Sequence, residues 1–248
     1  DVVGRFDHQV ILNEDDPMAA CIETFHPVVT TRGDPTSETL ADVIADMIDA
    51  EAARQESDAV LQRSGSGSPH PVTQSAPMIV SEIFRSLQGE GKNQGRPCTF
   101  VRLAGCNLRC AWCDTPYAWN EGEEMSVGEV LDRVWLLRGA YICITGGEPL
   151  LQREDLLELL KKFKLHGYSV EIETNGSLDF REMQPYASIC MDVKCPSSGE
   201  RSDLSLLSAI TAHDSVKFVV ADMDDLLYAR AVMGRYRIGG EVFVSPVE

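Results

Sequence analysis

Positive charge is what this sequence has least of. Its 248 residues carry 22 Lys and Arg against 39 Asp and Glu, a formal net charge of −17, and no Lys occurs before Lys92. That sign excludes non-specific binding to nucleic acid or to an anionic membrane, both of which need a positive surface. Long apolar runs are also missing: nothing approaches the roughly 18 residues that a membrane-crossing helix requires. The start, Asp1-Val2-Val3-Gly4-Arg5, has no charged-then-apolar signal organisation. A soluble, cytoplasmic protein is therefore expected. With 44% hydrophobic and 25% charged residues the composition is globular, which excludes a disordered chain or a collagen-like fibre. Eight Cys are present, but in a chain of this size with no secretion signal a disulfide framework is not expected.

The acidic excess is uneven. Residues 1–77 carry 14 acids and four Arg, whereas residues 78–248 carry 25 acids and 18 bases. An acidic, Lys-poor surface fits either a protein kept soluble in concentrated salt or an ordinary acidic enzyme. Between the two regions, Ser64-Gly65-Ser66-Gly67-Ser68-Pro69-His70-Pro71 reads as a flexible linker, too poor in apolar residues to bury. The chain therefore divides into a short segment over 1–57, a linker over 58–77 and a compact domain over 78–248. In the first segment, Leu40, Val43, Ile44, Met47 and Ile48 repeat at helical spacing behind possible caps at Thr36 and Ser37.

Beyond Met78 strand and helix patterns alternate. Strands are predicted over 98–103, 141–145, 168–173, 189–193, 216–220 and 241–245, and helices over 126–138, 154–165 and 224–235. Ser126-Val127-Gly128-Glu129 is a capping box, and Gly167 is a helix stop. Such alternation predicts an α/β fold with a parallel sheet and helices outside. Chemistry in these folds sits at the carboxyl ends of the strands, which is where the motifs of this sequence fall.

Cys106-Asn107-Leu108-Arg109-Cys110-Ala111-Trp112-Cys113 is a Cys-x3-Cys-x2-Cys motif after a predicted strand. Three thiolates that close suit one face of an iron–sulfur cubane and leave its fourth iron open to a small molecule. A closed zinc site is the alternative, but it wants four ligands, and no His stands nearby. Gly146-Gly147-Glu148-Pro149 follows the next strand. Glycines there let backbone approach a ligand, and a carboxylate can receive an ammonium group.

The Cys motif with its aromatic before the last Cys resembles the signature of the radical S-adenosylmethionine (SAM) superfamily, and Gly146–Pro149 resembles that superfamily's methionine-binding motif. Within it the chain is most similar to the 7-carboxy-7-deazaguanine synthases, from about Ile79 onward. The likeness rests on Leu87-Gln88-Gly89-Glu90-Gly91, Phe100-Val101-Arg102-Leu103-Ala104-Gly105, Cys113-Asp114-Thr115, Glu173-Thr174-Asn175-Gly176, Asp192-Val193-Lys194-Cys195-Pro196 and Phe243-Val244-Ser245-Pro246-Val247. It implies a partial (β/α) barrel of the radical SAM type. The implied reaction converts 6-carboxy-5,6,7,8-tetrahydropterin to 7-carboxy-7-deazaguanine and ammonia, a lyase step toward queuosine and archaeosine.

The same resemblance assigns roles. Cys106, Cys110 and Cys113 would bind a [4Fe-4S] cluster. Trp112, Cys113, Asp114, Gly147, Glu148, Asp192, Val193 and Lys194 would contact SAM. Thr115, with Asp114 beside it, would hold Mg2+. Leu87, Gln88, Gly89, Glu90, Arg102 and Thr145 would bind the pterin, with Arg102 on its carboxylate. An electron donor such as flavodoxin or ferredoxin and a homodimer are also implied. The family continues beyond its last strand, so the chain is expected to be a fragment with an incomplete pocket.

Phe6-Asp7-His8-Gln9, Leu12-Asn13-Glu14 and Asp34-Pro35-Thr36-Ser37-Glu38 resemble the C-terminal half of the 6-pyruvoyltetrahydropterin / 6-carboxytetrahydropterin synthases. That likeness implies a short α+β remnant, with Asp7 and His8 as its proton-moving pair, and a parent that fuses consecutive pathway steps. Two other readings remain: a glycyl-radical activase, which shares the Cys motif, and a non-catalytic iron–sulfur module.

Overall fold

The computed structural model describes Val10, Ile11 and residues 77–247. The helix expected near 40–48, Asp7, His8 and nearly all of the linker lie outside the described residues.

Among the described residues nine strands form one open sheet: β1 (Val10–Ile11), β2 (Met78–Leu87), β3 (Pro97–Leu103), β4 (Glu123–Met125), β5 (Tyr141–Gly146), β6 (Ser169–Thr174), β7 (Ser188–Lys194), β8 (Ser215–Val220) and β9 (Glu241–Pro246). Their spatial order is β1-β9-β8-β7-β6-β5-β3-β2-β4. From β3 through β9 the neighbours run parallel, as in a partial (β/α) barrel; α-helices make the crossovers from β3 to β5, β5 to β6 and β8 to β9, whereas turns join β6 to β7 and short 3-10 segments join β7 to β8. The α-helices among the described residues are α1 (Val127–Leu136), α2 (Arg153–Leu165) and α3 (Met223–Arg235). Among the described residues no helix is long and apolar enough to cross a membrane.

The predicted strands and helices agree with these bounds to within one or two residues, because their patterns are local. The Ser126 capping box forms in full: Ser126 N donates to Glu129 Oε2 at 2.7 Å, and Glu129 N returns a bond to Ser126 Oγ at 3.3 Å. The strand β2 was not expected. It pairs antiparallel with β3 and carries an irregularity between Val80 and Glu82. A bulge of that kind breaks the period-2 pattern by which a strand is read. Antiparallel β4 is only three residues long and gives no periodic signal at all.

Alternation along β5 to β9 sorts side chains onto two faces. One face carries Ile142, Ile144, Ile172, Ile189, Met191, Val193, Val216 and Phe218, all fully buried against the helices. The helix-free face carries Tyr141, Cys143 and Thr145 on β5, Glu171 and Glu173 on β6, Cys190 and Asp192 on β7, and Ser215 and Lys217 on β8. The face is apolar in two places: Phe84 stacks on Phe100 at 5.0 Å beside Cys98 and Cys143, and Phe243 of β9, the register partner of Lys217, is buried.

Candidate active site

The Cys motif occupies the loop leaving β3, held from both sides. Gly105 N donates to Ala118 O at 2.8 Å, and Gln152 Nε2 donates to Ala104 O at 2.9 Å. Across the site, the segment after β7 takes the loop's other edge: Ala111 N to Ser198 O and Trp112 Nε1 to Ser197 Oγ, both 2.9 Å, and Arg109 N to Glu200 Oε1, 2.8 Å. Cys106, Cys110 and Cys113 are half-buried free thiols. Burial pushes the Cys106 and Cys110 thiols up, and a charge on Cys113 pushes each up further. Three half-buried sulfurs brought together by one short loop are a donor set that fits an iron–sulfur cluster.

At the end of β5 the backbone turns tightly against the loop. Gly147 N donates to Leu103 O at 2.9 Å and Glu148 N to Gly105 O at 2.7 Å. A Cβ on Gly147 would collide with the Gly105 carbonyl, so this approach admits only glycine. Glu148 is fully buried. Its carboxylate accepts from Leu150 N at 3.0 Å, Thr174 Oγ1 at 2.9 and 3.0 Å, and Asn175 N at 2.8 Å. Burial raises its pKa, against the pull of those donors. In this structure Glu148 therefore locks the tips of β5 and β6 together, and the half-buried surface beside the thiols is the backbone of Gly146 and Gly147.

The helix-free face supplies a polar chain. Gln88 Nε2 donates to Glu173 Oε1 at 3.1 Å and Thr145 Oγ1 to Glu173 Oε2 at 3.0 Å. Gln88 is itself fixed by Gln88 N to Arg96 O, 2.8 Å, and by Gly95 N to Gln88 O, 2.7 Å. Glu90 pairs with Lys217 of β8, and Lys217 Nζ lies 3.7 Å from Asp192 Oδ1. Asp192 Oδ2 in turn takes Lys194 Nζ at 2.6 Å, and that ammonium stands 5.3 Å from the Trp112 ring centre. Burial opposes the Asp192 charge, but Lys194 and Lys217 outweigh it and hold its pKa below the usual range. Glu173 goes the other way: burial raises it, and Glu90 and Glu171 add to the rise.

Arg102 Nε donates to Glu82 Oε1 at 2.7 Å, and Tyr117 OH shares that oxygen at 2.8 Å. Thr115 Oγ1 donates to Asp114 Oδ1 at 3.2 Å at the exposed rim. Leu87 closes the β2 pairing opposite Pro97, and no atom lies within 4 Å of where a Gly89 Cβ would stand. The structure thus brings Gln88, Glu90, Thr145, Asp192 and Lys194 onto one face below the thiols. It does not bring the Val193 side chain there, since that packs into the opposite core.

Two members of the chain, Glu173 and Lys217, had no role assigned from sequence. The available signal was a charge set inside strands that otherwise read as buried parallel strands, which are usually near-continuous apolar runs. Cys143, Glu171 and Glu173 also bring ligand atoms within 4.8 Å of one another. All four carboxylate oxygens there already accept from Tyr141, Asn93, Gln88 and Thr145, so the group is internally satisfied.

Residues 100–193 match the family model described as the radical SAM superfamily. The chain is 51% identical over 184 residues to the 7-carboxy-7-deazaguanine synthase of Methanospirillum hungatei, covering 74% of this chain and 79% of that protein. It is 42% identical to the enzyme of the same name from Koribacter versatilis, covering 66% and 74%. The crystal structure of QueE from Escherichia coli aligns with a TM-score of 0.51 at 24% identity, over 64% of this chain and 79% of that one, a likeness of fold. The pterin-synthase resemblance, the fusion and the activase reading draw no support from these similarities.

Proposed function

This chain belongs to the 7-carboxy-7-deazaguanine synthase family of radical SAM enzymes, and on that premise we propose how its residues divide the work. It is a lyase whose product is 7-carboxy-7-deazaguanine, and its family brings a [4Fe-4S] cluster and SAM as cofactors. When bound, these cofactors would supply one-electron radical chemistry directed at the substrate. Cys106, Cys110 and Cys113 hold the cluster. The Gly146–Gly147 backbone and Trp112 seat SAM, with Asp192 and Lys194 nearby.

The substrate is a carboxylated tetrahydropterin. Gln88, Glu90, Glu173 and Thr145 read its donor and acceptor edge. Arg102 takes its carboxylate with a fork of donors, exchanging part of its bond to Glu82. Thr115 and Asp114 offer hard oxygen donors at the rim, a set that suits Mg2+ completed by substrate and water. A reducing protein such as flavodoxin or ferredoxin delivers the electron, and the chain works as a homodimer in the cytoplasm.

One observation carries this reading: three half-buried thiols sit in the loop leaving β3, and the buried polar chain on the neighbouring parallel strands ends at Lys194, 5.3 Å from the Trp112 ring centre in that same loop. The test is anaerobic reconstitution of the cluster, followed by dithionite, SAM and 6-carboxytetrahydropterin, with and without Mg2+. The expected result is 7-carboxy-7-deazaguanine with a rate that rises on adding Mg2+. Formation of 5′-deoxyadenosine with no deazaguanine would reject the pterin pocket assigned above.

A further inference from the structure

We infer that Lys217 is a positioning residue that clasps the substrate loop shut and ties it to the strand facing SAM. The inference rests on the function proposed above and adds a residue to it.

Lys217 is 7% exposed, and its strand neighbours Val216 and Phe218 are fully buried on the opposite face. An ammonium in that position loses its hydration and is stable only if carboxylates replace the water. Three surround it. Asp192 stands directly opposite in the β7–β8 register. Glu90 reaches it from the loop after β2, 127 residues away in sequence, and Glu173 adds its field from β6. The loop has two further anchors: Lys92 Nζ on His213 O, just before β8, and Asn93 Nδ2 on Glu171 Oε2 at 3.0 Å.

Alternating charge therefore runs Glu90, Lys217, Asp192, Lys194 and ends over Trp112, inside the Cys motif. Without the Lys217 charge, Glu90, Asp192 and Glu173 become like charges in a low dielectric and push the loop outward. Gln88 is on that loop and Asp192 is on the cofactor side. Lys217 thus sets both the substrate contacts and their spacing from SAM, and its loss separates cofactor cleavage from product formation.

The test compares Lys217→Met, which keeps the stem, and Lys217→Arg, which keeps the charge, with the unaltered protein. In Lys217→Met the KM for carboxytetrahydropterin rises about tenfold, the size of a direct pairwise coupling. The ratio of 5′-deoxyadenosine to deazaguanine climbs, while Lys217→Arg restores most of both. Amide exchange across residues 88–95, measured without cofactor or substrate, speeds up in Lys217→Met and not in Lys217→Arg. If Lys217→Met does not fold, the same measurements on Lys217→Met with Glu90→Gln, against Glu90→Gln alone, carry the test with one fewer unpaired carboxylate. Unchanged KM, product ratio and loop exchange in a folded Met variant would overturn the inference, and so would a lowered melting temperature as the sole effect. Failure of the unaltered protein to make deazaguanine would reject the proposed function instead, with loop exchange still deciding the clasp.

Discussion

The two faces of one sheet are built from the same strands and obey opposite rules. On the helix side, Ile172, Met191, Val193 and Phe218 are fully buried and carry no polar atom in need of a partner. One residue along, Glu171, Glu173, Asp192 and Lys217 are largely withdrawn from water too, yet each is held by named donors or counter-charges. Stability on the first face comes from area and fit, which tolerate swaps of similar volume. On the second face these charged groups depend on specific partners, so single changes to them are felt as lost chemistry before they are felt as lost fold.

The largest way to sharpen that contrast is Cys110→Ala. It removes one of three cluster donors from a half-buried loop, so activity and the visible absorbance of the reconstituted cluster fall to background while far-ultraviolet circular dichroism is unchanged. A retained cluster spectrum would move the site elsewhere. Ile172→Ala is the converse: it costs about 3 kcal/mol of stability through the cavity it leaves, read from denaturant midpoints. Product ratio and KM at low temperature stay as they were.

Glu148→Ala tests where the two faces meet. It strands the Leu150 and Asn175 N–H groups and the Thr174 hydroxyl, which costs about 2 kcal/mol. It also loosens the Gly147 turn, so the Kd for SAM rises together with the loss in melting temperature. A stable Glu148→Ala protein with weakened SAM binding would show instead that Glu148 acts on the cofactor and not on the fold.

The smallest effect lies outside both faces. Arg181 holds the Asp179 carboxyl at about 2, through a contact of 2.5 Å on a side chain that is 42% exposed. A folded pKa below the unfolded value means stability present above about pH 4 and lost as pH falls toward 2. Solvent screening limits it to a few tenths of a kcal/mol. Asp179→Asn should therefore leave the melting temperature at pH 7 nearly unchanged, and a drop of several degrees would show that Asp179 is part of the packed structure.

How much was legible in the sequence follows from how local each signal is. The strand ending at Leu103 and the helix capped at Ser126 are written in neighbouring residues, and their bounds could be read directly. The Cys spacing likewise announced its chemistry, because three ligands in eight residues need no fold to bring them together. Lys217 was illegible. Nothing near it in sequence explains a cation in an apolar strand, since its partners Glu90 and Asp192 arrive from β2's loop and from β7. Glu148 was half legible: its motif marked it as functional, but only the fold shows its carboxylate filled by Leu150, Thr174 and Asn175.

By itself the sequence determined the charge, the alternation of strand and helix, and the cluster loop, all of which depend on residue identity and short-range periodicity. Only the tertiary structure decided which side of each strand faces the helices, how β2 folds back antiparallel beside β3, and which carboxylates surround Lys217. The physical reason is that a buried charge is stable only where opposite charges meet it in space, and that meeting is made by strand register rather than by sequence distance.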